Sequence, residues 1–227
     1  MYRHMIDVDS HQLPRIDSVS EKKLCTQNSQ KENKCPMEVT TENITKCPLA
    51  VTKANSIGDV MSQRIAEEAN RLSNKQRSIL QATFIPVSKN AVSNGLKIFV
   101  KLFSEYPRYK LIWPQFRAIP DSSLMNAIEL RRHASIYICG LGRIINSMGN
   151  EEELAKEMTL IARAHIKWNV QRSHVINMID PVLDVVKESN HYTLDEDTKT
   201  AWSILYQVIA ELIEIFRDHE LNKLNSV

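Results

Sequence analysis

Glycine is scarce in this chain, with five among 227 residues, and no Gly-rich segment offers the backbone cradle of a phosphate-binding loop. Long apolar runs are missing as well: nothing approaches the about 18–20 uninterrupted residues that span a bilayer. Charge of one sign is also lacking. The formal net charge is +2, and no basic run interleaved with aromatics marks a nucleic-acid surface. Four cysteines are too few for a disulfide framework. Cys25, Cys35 and Cys47 lie in polar sequence without Cys-x-x-Cys spacing, so zinc is not indicated. The opening stretch, MYRHMIDVDSHQLPRID, has neither the apolar core of a signal peptide nor a myristoylation glycine. The expectation is a soluble, cytoplasmic protein with no membrane and no nucleic-acid partner.

Composition divides what remains. Residues 1–55 hold one aromatic, Tyr2, among Ser, Thr, Asn, Gln, Lys and Glu. Such a segment cannot bury enough apolar surface to offset its ordering entropy, which predicts a disordered polar tail. A helical pattern starts in IGDVMSQRIAEEANRL, giving a lead-in helix over 56–70. From Ser73 onward every convincing segment is helical. SNKQRSILQATF opens with Ser73 and Gln76 in capping-box spacing. GLKIFVKLFSEYP puts Leu96, Phe99, Val100 and Phe103 on one face and stops at Pro107. HVINMIDPVLDVVKE predicts a helix kinked at Pro181. DEDTKTAWSILYQVIAELIEIFRDHE predicts a long last helix with an acidic start and a basic end. No succession of short alternating strands is visible, so the domain over 71–220 is all-α, with 221–227 as a C-terminal tail.

Two of the seven histidines head or close apolar stripes. In LRRHASIYICGLGRII, the residues His133, Ile136, Tyr137, Gly140, Leu141 and Ile144 share one helical face. In EELAKEMTLIARAHIKW, His165 follows Leu154, Met158, Ile161 and Ala162. The loop NSMGNEEE between them lets the two helices face one another. Two readings fit. Both histidines are hydrogen-bonded core residues, or two neutral imidazoles meet across a cavity and ligate a transition metal.

Four stretches in order, within Leu72 to His219, now resemble a known family. LSNKQRSILQATF is similar to the first helix of globins. FVKLFSEYPRYKLIWPQF matches their second helix, proline turn and aromatic corner. LRRHASIYICGLGRII matches the distal helix and IARAHIKWNV the proximal one. The chain resembles the globin family, nematode globins akin to cytoglobin and neuroglobin in particular. The resemblance implies a three-over-three helical fold around a non-covalent haem b. It implies His165 as the proximal iron ligand. It makes His133 the distal histidine, which either steadies a bound gas or binds the iron as sixth ligand. Trp113 falls in the corner slot where the family keeps a phenylalanine, with Phe116 three residues on, and either ring covers the macrocycle. Phe99 falls where oxygen-avid relatives carry a tyrosine donor. Tyr137 falls where a small aliphatic residue is usual; it crowds the sixth position, or its hydroxyl reaches a polar partner at the haem edge. Val170 lines the haem beyond the proximal helix.

Arg117, Arg132 and His174 are candidate propionate contacts, read as solvated side chains on balance, while Trp168 is core or rim. Trp202 and Tyr206, one turn apart in the last helix, read as core. The resemblance implies a diatomic gas ligand: oxygen, nitric oxide or carbon monoxide. Because Phe99 offers no donor, bis-histidyl iron with a redox or sensing role is the first reading, with an unidentified electron donor or acceptor as partner. A five-coordinate oxygen carrier is the alternative, and a helical protein-binding module without haem ranks below it. An enzymatic role, as a nitric oxide dioxygenase or peroxidase, is not expected: nothing in the chain resembles a reductase module. Homodimerisation stays open, since helical surfaces of this kind carry no readable motif for it. The reading of residues 1–55 has a direct check. Deleting them is expected to leave the haem absorbance unchanged and the thermal midpoint within about 2 °C; a large loss of helical circular dichroism would contradict it.

Overall fold

The computed structural model describes the backbone from Ile57 to Asn225 and side chains from Val60 to Asn222, and every regular element among these residues is helical. The expected tail over 1–55, with its three cysteines, lies outside the described residues, as do the last two positions. The helices are α1 (Ile57–Ala69), α2 (Asn74–Lys89), α3 (Ala91–Glu105), α4 (Pro114–Arg117), α5 (Ile128–Ser147), α6 (Glu151–His165), α7 (Arg172–Ile176), α8 (Ile179–Asn190) and α9 (Glu196–Asn225). Short 3-10 turns at Pro107–Ile112, Asp121–Asn126 and Ile166–Trp168 link them. Helices α2, α5 and α6 form one layer and α3, α8 and α9 the other, packed face to face. None of the described helices is long and apolar enough to cross a membrane.

The local chemistry explains most boundaries. Ser73 and Gln76 close the capping box, the Gln76 amide donating to Ser73 Oγ and the Ser73 amide to Gln76 Oε1. Asn150 Oδ1 accepts from the Glu153 amide and starts α6, whose first turn carries Glu151, Glu152 and Glu153 at the positive end of the helix dipole. Asp195 does the same for α9 through the amide of Thr198.

Three boundaries differ from the sequence expectation. Helix α2 continues past Phe84 through Pro86 to Lys89, because one missing amide late in a helix is tolerated when Val87 is buried in the core behind it. Instead of a helix kinked at Pro181, the chain breaks at Asn177–Met178, leaving Pro181 in the first turn of α8. There its absent N–H is one that no carbonyl would have taken. Helix α9 runs to Asn225, beyond the expected domain end at 220, since LNKLN holds no residue that stops a helix. Helix α1 packs on α6 and α9 and sends Ile65 and Ala69 into the common core; the Gly149 amide donates to the Ala69 carbonyl at 3.0 Å.

One crossing positions the functional residues. Helix α3 passes α5 so closely that a Cβ on Gly95 would stand 2.6 Å from the carbonyl oxygen of Ala134. On α5 itself, a Cβ on Gly142 would stand 2.8 Å from the side-chain atom Phe84 Cε1 of α2. The close approach to α3 places Phe99 of α3 beside His133 and Tyr137 of α5. In an exposed helix, Gly→Ala gains about 0.5–1 kcal/mol. At residue 95 the rigid backbone neighbour reverses that sign, since overpacking costs about 1–3 kcal/mol or more. Gly95→Ala is expected to lower the thermal midpoint by about 4–8 °C, measured by circular dichroism; an unchanged or higher midpoint would refute the close crossing.

Candidate functional site

His165 is the last residue of α6, and its Nδ1 pairs with the carbonyl oxygen of Ile161, one turn back, at 2.8 Å. A carbonyl only accepts, so Nδ1 carries the proton and Nε2 keeps its lone pair. Metal-ligating histidines are oriented in this way, by a carbonyl on the far ring nitrogen. His133, in the second turn of α5, faces it: the ring centres stand 6.4 Å apart with their planes at 65°. Both residues keep intermediate exposure, yet protein atoms surround both rings closely enough to disfavour the charged form. Burial pushes His133 down to about 4, with nearby His165 adding to the effect. Burial lowers His165 as well, against the opposing hydrogen bond to Ile161. At neutral pH both imidazoles are uncharged, the form that ligates a metal.

Two indoles flank this pair. Trp113 lies 5.6 Å from His133 and Trp168 lies 5.7 Å from His165. Across the gap, the two indoles are 6.5 Å apart. One wall of Trp113 and His133 therefore faces another of His165 and Trp168 at nearly constant spacing. Two imidazoles that share one metal through ring nitrogens at about 2.0–2.1 Å hold their ring centres about 6 Å apart, close to the His133–His165 separation. The donor set narrows the kind of site. Among the described residues no cluster of three or more His, Cys, Asp or Glu is arranged for a metal ion. Two opposed imidazoles alone suit an ion whose remaining ligands come from a porphyrin.

The rest of the pocket is aromatic. Phe99, fully buried, stands 4.9 Å from His133. Phe116, also fully buried, stands 5.6 Å from the same ring. Trp113 precedes Pro114, and the proline holds it in extended conformation (φ −98°, ψ 116°) at the start of α4. Both candidates for the corner slot, Trp113 and Phe116, thus meet His133. Val170 is buried just beyond Asn169, whose left-handed φ of 50° ends the turn after α6. Ile136, placed on the same stripe by periodicity, is exposed. The inward arc of α5 is centred on Leu130, Ala134, Ile138 and Leu141, packed against neighbouring helices, with His133 and Tyr137 at its pocket edge.

Comparison with known proteins decides the family. The globin family model matches residues 96–213, more than half of the chain. The chain belongs to the globin family. The matched stretch includes both histidines and every ring of the pocket. As a globin the protein holds haem and takes diatomic gases as ligands. It is 24% identical to cytoglobin-1 of Oryzias latipes over 145 residues, 63% of this chain and 82% of that one. A globin of Nerita albicilla is 21% identical over 143 residues, 63% and 91% of the two chains. Among solved structures, ferric Aplysia limacina myoglobin superposes with a TM-score of 0.57 at 20% identity, covering 63% of this chain and 97% of that one. The hexa-coordinate haemoglobin of Drosophila melanogaster gives 0.56 at 24% identity, covering 63% and 94%.

Sequence reasoning missed two features of this globin's pocket. The first is Trp168, left as core or rim, which packs edge-on against His165 and carries Lys167 Nζ over its ring at 4.6 Å. Its spacing of three residues from His165 was the available signal. The second is where the Tyr137 hydroxyl goes. It pairs with the hydroxyl of Tyr206 on α9. Burial raises both phenols well above their usual range, so both stay protonated. Trp202 is core as expected, its indole N–H donating to Thr83 Oγ1 at 3.0 Å. Of the propionate candidates, Arg117 Nε donates to the Leu111 carbonyl and His174 Nδ1 accepts from the Gln171 amide. Arg132 lies exposed on α5.

The phenol pair makes a stability prediction. Removing one hydroxyl strands the other in an apolar core, at about 1–3 kcal/mol, whereas removing both strands neither. Tyr137→Phe and Tyr206→Phe are each expected to lose about that much by urea unfolding. The double variant should be no less stable than the weaker single one. Additive losses would show that the two hydroxyls are not coupled.

Proposed function

We propose that this globin binds one haem b between His165 and His133, with His165 as the proximal ligand and His133 as the sixth ligand of the resting ferrous protein. The observation that carries the reading is the pair of neutral imidazoles facing each other across 6.4 Å. Phe99, Trp113, Phe116, Tyr137 and Val170 are the haem-lining side chains in this reading. The haem supplies an iron that changes oxidation state and takes a sixth ligand. The chain's contribution is to hold that iron from one side, occupy the other, and keep water out with a wall of aromatic rings.

Two features favour His133 over an external ligand. Phe99 supplies no hydrogen bond to a bound gas, and the Tyr137 hydroxyl is engaged by Tyr206. His133 is tethered to α5 beside the site, so it competes at high effective concentration. A gas must then displace it, which lowers apparent affinity by the fraction of time the site is closed. The similar Drosophila melanogaster protein is described as hexa-coordinate. Axial histidine pairs set haem redox behaviour, so the proposed role is electron transfer or redox sensing in the cytoplasm. A separate protein serves as electron donor or acceptor. A polar tail precedes the haem domain and takes no part in the chemistry.

The test is carbon monoxide binding to the ferrous full-length protein by rapid mixing. Wild type is expected to bind at a rate that saturates with gas concentration, limited by release of His133. His133→Leu is expected to bind faster and without saturation. A linear, identical dependence in both would overturn the sixth-ligand assignment and return an oxygen-carrying, five-coordinate globin. His165→Ala, prepared without imidazole, is expected to lose most of its haem on transfer to apomyoglobin, since only apolar burial then holds the porphyrin. Full retention with an unaltered spectrum would remove His165 as the proximal ligand.

A further inference from the structure

Trp113 is 6% exposed, and its Nε1 is the single buried side-chain nitrogen or oxygen among the described residues that lacks a hydrogen-bond partner. Such an orphan needs an explanation, because an unmet buried donor costs about 1–3 kcal/mol. The fold contrasts it with Trp202, whose equally buried N–H is met by Thr83. An indole nitrogen only donates, so what is missing is an acceptor.

The surroundings narrow the choice. Three of the rings around Trp113 are Phe99, Phe103 and Phe116, which offer no acceptor atom. The others are Trp168, a donor only, and His133. His133 stands 5.6 Å away by ring centres without forming a hydrogen bond to the indole. Trp113 thus lies beside the distal imidazole, on the same wall of the pocket. Apart from the imidazole of His133 itself, no other buried donor is available there: Phe99 has none, and the Tyr137 hydroxyl is spent on Tyr206.

We infer that the Trp113 indole N–H is the hydrogen-bond donor of the distal pocket, reserved for a small ligand that presents an anionic or strongly polarised acceptor atom. The proposal rests on the haem reading above. It makes Trp113 a specificity-determining residue in addition to a cover for the macrocycle. When His133 swings away, an anion entering the vacated position completes the indole, while carbon monoxide, a poor acceptor, gains nothing. The pocket discriminates between ligands of one size by charge.

Fluoride and carbon monoxide are the probes, applied to the full-length haem-loaded protein in a His133→Leu background, so that no imidazole competes. Absence of Soret absorbance in that background, before any ligand is added, would overturn the haem reading and this proposal with it. With haem present, Trp113→Phe is expected to weaken fluoride binding to the ferric protein by about tenfold to a hundredfold, the worth of one hydrogen bond to a charged acceptor. Carbon monoxide affinity of the ferrous protein should stay within about threefold. Should Trp113→Phe fail to fold, benzothienylalanine at position 113 keeps the ring shape and removes only the N–H. The same selective loss is expected from it. Unchanged fluoride affinity overturns the proposal. Combined with faster haem loss, that result assigns the indole to a haem propionate; with haem loss unaffected, it leaves His133 as the acceptor. Equal weakening for fluoride and carbon monoxide also overturns it, by showing a loss of shape alone.

Discussion

The backbones of α3 and α5 cross with nothing larger than a hydrogen atom at Gly95 between them. From that approach the pocket follows. It carries Phe99 onto His133, brings Tyr137 edge-on to Phe99, and aims α5 at the end of α6. A side chain at 95 would push α5 outward along its length, because helices move as rigid elements in a close-packed interior. The other half of the site depends on α6 ending at its last turn, where the Ile161 carbonyl orients His165.

The pocket that results is aromatic and uncharged. Both imidazoles lose their charged form to burial, and both phenols keep their protons for the same reason. Polar atoms there are few and almost all are spoken for. The Tyr137 and Tyr206 hydroxyls satisfy each other, and the His165 Nδ1 is met by Ile161. That leaves two groups with capacity to spare, His133 and the Trp113 N–H, on the same wall. In such surroundings a single unmet hydrogen bond weighs more than in water.

How much of this was legible in the sequence depends on the range of the interaction. Features set within one or two turns were readable: the Ser73–Gln76 capping box, the acidic start of α6, the apolar stripes that carry His133 and His165. Placing Ile136 on the buried face failed because α5 buries an arc centred on Leu130, Ala134, Ile138 and Leu141, and spacing alone does not say how that arc is turned toward the neighbouring helices. The Pro181 kink failed for a related reason. Sequence shows that a proline interrupts a helix, but the choice between bending it and restarting it is made by packing. The Tyr137–Tyr206 pair joins residues 69 apart, and no local pattern announces it. The unmet donor on Trp113 is readable only when all its neighbours are known.

The central claim is that two imidazoles meet on one haem iron. Electron paramagnetic resonance of the ferric full-length protein, frozen at neutral pH without added ligand, addresses it most directly. Two histidine ligands impose a strong field, so the account predicts a low-spin signal that converts to high-spin in His133→Leu. A high-spin signal in the wild-type protein, unchanged by that substitution, would contradict it.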